Sequence, residues 1–248
     1  VLYRVKGSLS DTAVVIKSGT ISIAEAVFRE TEITSVSLPD TLIYIGKDAF
    51  YRCTSLTSVN IPSSVSEIGA AAFSGCSVLT SVSLNAEIIG ASAFSSCDKL
   101  TTVNLGHRLK EIGDNAFKYT PVAEISLPSG VESIGAEAFS NSNVTGALSI
   151  PGTVSAIGKG AFNNNPLMTS LTVGEGVESI GAEAFNKCSA LENISLPSSI
   201  VSMGENVFKG TAWLAAQTDT APIYVGSVLY SYKSSTDKGT ELRIKDGT

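Results

Sequence analysis

The residues able to carry chemistry are few, and their spacing argues against most of the reactions they could support. Four cysteines, Cys53, Cys76, Cys97 and Cys188, each stand three residues after a phenylalanine. A zinc centre needs ligands converging from different directions, and the chain has no C-x-x-C pair and no accompanying histidine. Cys53, Cys76 and Cys97 would lie on successive turns of a repeat, with Cα atoms about 5 Å apart and so within disulfide range. Side chains at equivalent positions nevertheless run parallel rather than toward each other, so free buried thiols are the expected state. The single histidine, His107, sits at a corner beside Arg108. It lacks a G-x-S-x-G, P-loop, G-x-G-x-x-G or EF-hand companion and reads as a solvated turn residue. Acidic residues recur at Glu67, Glu111, Glu132 and Glu178, and again at Glu137 and Glu183. A glycosidase needs two carboxylates converging within about 10 Å, whereas these form rows along a surface. The expectation is no enzyme, no cofactor and no metal.

The elements that position these residues follow from an internal repeat. All nine phenylalanines fall in one register, at Phe28, Phe50, Phe73, Phe94, Phe117, Phe139, Phe162, Phe185 and Phe208, separated by 21 to 23 residues. Five residues before each stands Ile, or Met203 in the last copy, and in all but the first a Gly follows, so that a unit I-G-x-x-A-F recurs. Upstream lies a strand pattern with apolar residues at offsets 0, 3 and 5, as in Leu56/Val59/Ile61 and Leu100/Val103/Leu105. Pro39, Pro62, Pro128, Pro151 and Pro197 then end their strands and turn the chain. The pattern predicts an α/β repeat solenoid of mainly short parallel strands, each coil of about 23 residues carrying one strand, a second short extended segment and a helical or 3₁₀ turn. One phenylalanine per coil would stack about 5 Å from the next, forming an aromatic spine beside aliphatic ladders. No coil buries its apolar face alone, so stability would come from neighbour interfaces.

Two sets of residues could bind rather than react. The outward strand positions read Ser35/Ser37, Ser58/Asn60, Ser81/Ser83, Thr102/Asn104 and Glu124/Ser126, continuing to Asn193/Ser195. This hydroxyl-rich face is either a partner surface or a solubilising ladder, since binding hot spots usually involve Trp, Tyr or Arg. The second set is Trp213, Tyr224, Tyr230 and Tyr232, a local group of recognition-type side chains that packing of a terminal hairpin explains equally well.

The unit LTSVNIPSSVSEIGAAAFSGC at 56–76 resembles the BspA-like leucine-rich repeat, whose pattern runs L-x-x-I-x-L-P and then V-x-x-I-G-x-x-A-F-x-x-C. The resemblance covers about residues 21–214. It implies a right-handed leucine-rich-repeat solenoid of a surface-exposed or secreted protein, most often bacterial, with adhesion to host or partner-cell proteins reported for some members. A protein partner, including host extracellular matrix, or a glycan is what that implication admits.

A net charge of −6 offers no basic footprint for nucleic acid or an anionic membrane. No uninterrupted apolar stretch reaches the length of a membrane span, and the opening VLYRVKGSLS has no export-signal pattern. Any such signal is expected outside this sequence. Residues 1–248 read as one elongated, monomeric domain: a hairpin-like element at 1–20, about nine coils at 21–214, and a β-hairpin element at 215–248 with Gly226-Ser227 at its turn. The likeness of 1–20 to 228–248 further suggests a piece of a longer array. Two functions fit: a binding or adhesion module at the cell surface, or a structural spacer that displays other domains.

Overall fold

The computed structural model describes residues 12–217 and the two strands Ile223–Val225 and Val228–Ser231. The chain winds as a parallel β-solenoid, and its most regular feature is a sheet of nine two-residue strands. Ser22–Ile23, Tyr44–Ile45, Glu67–Ile68, Ile88–Ile89, Glu111–Ile112, Ser133–Ile134, Ala156–Ile157, Ser179–Ile180 and Ser202–Met203 lie side by side in chain order. Each strand turns its Ile or Met toward the core and the preceding residue away from it, as alternation requires. Inter-coil bonds such as Ser66 N to Ile43 O (2.9 Å) and Gly69 N to Ile45 O (2.8 Å) extend the ladder at both ends of each strand.

The glycine that follows the Ile or Met in every copy after the first has a steric cause. A Cβ at Gly46 would lie 2.6 Å from the Ile23 carbonyl oxygen, and one at Gly204 would lie 2.2 Å from the Ala182 nitrogen. The backbones touch here, so only hydrogen fits between consecutive coils.

The G-x-x-A-F segment was expected to form a helical or 3₁₀ turn, and it forms a chain of tight turns instead. In every coil the residues two before and two after the Phe take the left-handed conformation, as at Asp48 (φ 54°) and Arg52 (φ 53°). This alternation divides the N–H groups between two tasks. Ala49, Tyr51 and Cys53 close turns onto Gly46, Asp48 and Phe50, while Asp48, Phe50 and Arg52 donate across to Ala70, Ala72 and Ser74 at 2.7–2.9 Å. A continuous helix would direct all of its N–H groups along its own axis and leave the next coil unbonded. Left-handed dihedrals cost a non-glycine residue about 1–2 kcal/mol, and the inter-coil bond each one permits offsets that cost.

The nine phenylalanines form a single buried column, with consecutive rings 4.9–5.7 Å apart and within 14° of parallel. Trp213 ends it edge-on, 5.2 Å from Phe208 at 63°. On the other side of the core, opposite the nine-stranded sheet, buried Val36, Val59, Val82, Val103, Leu148 and Leu171 are the inward-facing residues of a second, outward sheet whose alternate residues face solvent.

That outward sheet is not continuous. It falls into three pieces: Ala13–Val15 with Ser35–Ser37 and Ser58–Asn60; Ser81–Leu84 with Thr102–Leu105; and Gly146–Ile150 with Met168–Val173 and Asn193–Ser195. Residues 13–15 pair in parallel with 35–37, so this part of the element expected to be hairpin-like at 1–20 continues the solenoid; residues 1–11 lie outside the described residues. Near the other end Ile223–Val225 pairs antiparallel with Val228–Ser231.

Candidate functional site

The sulfur positions resolve into a structural role. Cys53, Cys76, Cys97 and Cys188 are buried and free. Each thiol donates to the carbonyl of the Phe one coil earlier, Cys76 Sγ to Phe50 O at 3.2 Å and Cys97 Sγ to Phe73 O at 3.2 Å. Thr120 and Ser142 do the same to Phe94 and Phe117 at 2.6 Å, and Asn165 reaches Phe139 at 2.8 Å. The row therefore demands a small side chain with a hydrogen to donate, which is why Cys, Thr, Ser and Asn alternate there. Burial pushes the thiols up, to about 12 for Cys97 and Cys188, so the reactive thiolate is disfavoured.

The acidic residues do not converge. Glu67 and Glu111 occupy equivalent places in the nine-stranded sheet, whereas Glu132 and Glu178 stand one residue earlier in theirs, beside Ser133 and Ser179. His107 is exposed. Among the described residues no group of three or more His, Cys, Asp or Glu is placed to hold a metal ion.

The strand-face residues fall into register on the outward sheet. Ser35 faces Ser58 and Ser37 faces Asn60; Ser81 faces Thr102 and Ser83 faces Asn104. All but the half-buried Ser35 are exposed, as are Glu124 and Ser126. Flatness ends at two places, one on each side of the Thr102–Leu105 strand.

The first is the coil with the 21-residue spacing. Where its neighbour has Ile61-Pro62-Ser63-Ser64-Val65, this coil has only Leu84-Asn85-Ala86. The missing corner leaves a depression of about 280 Å³ with Ile61, Leu84 and Leu105 at its base and Ser63, Ser83, Asn85 and Asn104 around it. Hydroxyls at the equivalent corner position elsewhere bond the preceding coil, Ser64 to Leu42 O (2.7 Å) and Ser199 to Val177 O (2.7 Å). Arg108 replaces that peg. Its guanidinium spans the short coil, donating to Glu87 Oε1 at 2.5 Å and to Ser63 O, two coils back, at 3.3 Å. Hydrogen bonding from Arg108, and then its charge, hold the Glu87 carboxyl below its ordinary range.

The second lies over residues 121–128, where strand pairing is reduced to an isolated bridge between Thr102 and Glu124. A comparison within the molecule gives the cause. The coil containing Thr31-Glu32-Ile33-Thr34 has the same 22-residue spacing yet keeps its strand, with Thr34 N bonded to Thr12 O at 2.6 Å and its hydroxyl to the same oxygen at 3.1 Å. Here the sequence is Thr120-Pro121-Val122-Ala123: the proline has no N–H to give, Ala123 has no hydroxyl, and its N–H reaches Thr101 O at 3.5 Å. On the far side the next strand bulges at Gly146, which takes φ +66°. The result is a groove of about 460 Å³ bounded by Asn104, Leu105, Glu124, Ile125, Ser126, Thr145, Gly146 and Ala147. Asn104 and Leu105 border both depressions, and Asn104 Nδ2 donates to Ser83 Oγ at 3.2 Å.

Of the residues singled out from sequence, Ser83, Asn104, Glu124 and Ser126 thus meet around two adjoining grooves. Ser35, Ser37, Ser58, Asn60, Ser81 and Thr102 lie on the flat parts of the face. Trp213 belongs to a different depression of about 340 Å³ with Ser170, Thr172, Glu192, Asn193 and Ser195. Tyr232 and the side chains of Tyr224 and Tyr230 lie outside the described residues. The strand pattern alone missed Asn85, Arg108, Thr145 and Gly146; the signal for them was the departure of their coils from the repeat.

The sequence model of the BspA-type leucine-rich repeat region matches residues 6–123 and 110–234, in six copies. The chain is similar in structure to the pneumococcal vaccine antigen PcpA, at 19% identity over 86% of this chain and 73% of that one, TM-score 0.55. It is also similar to a leucine-rich repeat protein of Eubacterium ventriosum, at 16% identity over 80% and 64%, TM-score 0.56. A leucine-rich cell surface protein of Faecalibacterium prausnitzii shares 28% identity over 81% and 73%, TM-score 0.46. No curated protein matches the chain. No helix among the described residues is long and apolar enough to cross a membrane.

Proposed function

Since this chain belongs to the BspA-type leucine-rich repeat family, we propose that it is a non-catalytic binding module, displayed on or secreted from a bacterial cell, that recognises a protein of a host or partner cell. The observation that carries the reading is the pair of grooves flanking Thr102–Leu105 on an otherwise flat face. A stacked solenoid offers an extended surface of fixed shape, and recognition concentrates where that surface is concave and mixes apolar base with polar rim. Leu105 and Ile125 supply the apolar part, while Asn104, Glu124, Ser126 and Thr145 supply donors and acceptors.

The test is immobilised chain against a panel of extracellular-matrix proteins, with an unrelated solenoid as the control. Specific retention of one protein is expected, and Asn104→Arg or Ser126→Arg, which fill the groove, should weaken it by about tenfold or more. Retention no greater than the control would support the second reading, a spacer that displays other domains, which the uninterrupted nine-stranded sheet and the Ser/Thr-rich strand face favour.

A further inference from the structure

We infer that the groove beside Trp213 is a binding site for a neutral saccharide. Trp213 is the only tryptophan in the chain, and the fold fixes it closely. Its backbone N–H donates to Leu191 O at 2.7 Å, and Thr211 Oγ1 accepts from Leu214 N at 3.1 Å to start the short helix Ala212–Ala215 that carries it. Part of the indole covers the end of the phenylalanine column, edge-on to Phe208. Trp213 is half-buried and lines the depression of about 340 Å³ at the last strand of the outward sheet.

The rest of that depression is a polar rim. Thr172 and Ser195 sit opposite each other in register, Asn193 shares the face of Ser195 two residues earlier, and Glu192 stands just before the strand and also lines the depression. A sugar ring has one face of C–H groups and a rim of hydroxyls, each both donor and acceptor. The electron-rich aromatic surface attracts the slightly positive C–H groups, while an amide, two hydroxyls and a carboxylate together meet the rim in either sense. The volume lies at the small end of the roughly 300–1,000 Å³ range of ligand pockets, which suits one or two rings rather than a length of polypeptide. Charge narrows the class. Glu192 is exposed and the residues lining the groove include no cation, so sialylated or sulfated sugars meet repulsion. The grooves around Asn104 have no aromatic wall, which separates this site from the protein surface proposed above.

The single tryptophan provides the readout. The whole chain is titrated with cellotriose, mannotriose, galactotriose and chitotriose, and with sialyllactose as the anionic counterpart, following indole emission and heat in parallel. At least one neutral sugar should saturate both signals. Asn193→Ala removes one rim group from an exposed strand position and should weaken that binding by about tenfold with an unchanged melting midpoint. Trp213→Phe, read by heat alone, should weaken it as much. The inference is overturned if none of the four neutral sugars saturates either signal, if sialyllactose binds as tightly as they do, or if Asn193→Ala leaves the affinity unchanged.

Discussion

The two sheets of this solenoid are made by the same coils and have opposite characters. The nine two-residue strands form one unbroken series, held by a Gly in every copy after the first and by a Phe in all nine. The outward sheet is broken twice, and both breaks coincide with coils that depart from the repeat. Where backbones touch and rings stack, a lost residue would be felt along the array. Where strands face solvent, the same loss only opens a depression. The array thus concentrates its regularity on one side and its individuality on the other.

That contrast can be attacked most directly through the column. Phe117→Ala, at a ring stacked 5.4 Å and 5.2 Å from its neighbours, should cost about 3–5 kcal/mol in urea unfolding and split the transition, because coils couple only to neighbours. A loss under about 1 kcal/mol would mean that the column is not the core. Gly113→Ala should come next. Its new Cβ would meet the Ala91 nitrogen at 2.6 Å, an overpacking worth about 1–3 kcal/mol, read as a lower thermal midpoint.

Cys76→Ser keeps a donor for the Phe50 carbonyl and should change stability by less than about 1 kcal/mol. In the native chain burial holds the thiols up, so a thiol reagent at neutral pH should be consumed only on denaturation, by four groups. Arg108→Ala sharpens the comparison from the irregular side. The folded Glu87 carboxyl titrates below its ordinary value because of Arg108. Its contribution is therefore present above the ordinary glutamate range and lost as pH falls through the folded value. The difference in melting midpoint between wild type and Arg108→Ala should shrink as the pH is lowered through that range. Asn104→Ala should be the mildest, within about 0.5 kcal/mol in stability, while altering whatever the grooves bind.

What the sequence revealed divides along the same line. The column was legible because one residue type recurs at one place, and periodicity reports the part of a repeat that cannot vary. The chained turns were not legible as such. Arg52, Glu137 and Lys187 are ordinary residues with no preference for left-handed dihedrals, and the geometry arises only when a second coil supplies acceptors. Alternation placed the outward residues on the solvent side of their strands, but it cannot tell a flat stretch from a hollow one. That distinction rests on Pro121, Ala123 and the two residues missing near Asn85, which show only against their neighbours. Trp213 stood out by its type, yet Glu192 and Thr172 become its companions only through stacking.

The two edges of a coil also point their peptide groups in opposite senses. Along the turns, Phe50 and Phe73 give their hydrogens forward, to Ala72 and Ala93 of the following coil; beside the short strands, Gly69 and Gly90 give theirs backward, to Ile45 and Ile68. An α-helix adds every peptide dipole in one direction and gathers charge at its tips. In this stack the opposing contributions offset one another and the strands between them add little, so further coils can be added without the ends becoming more polar. Length is electrostatically neutral for such an array, which leaves evolution free to set the reach of the protein by copying a coil.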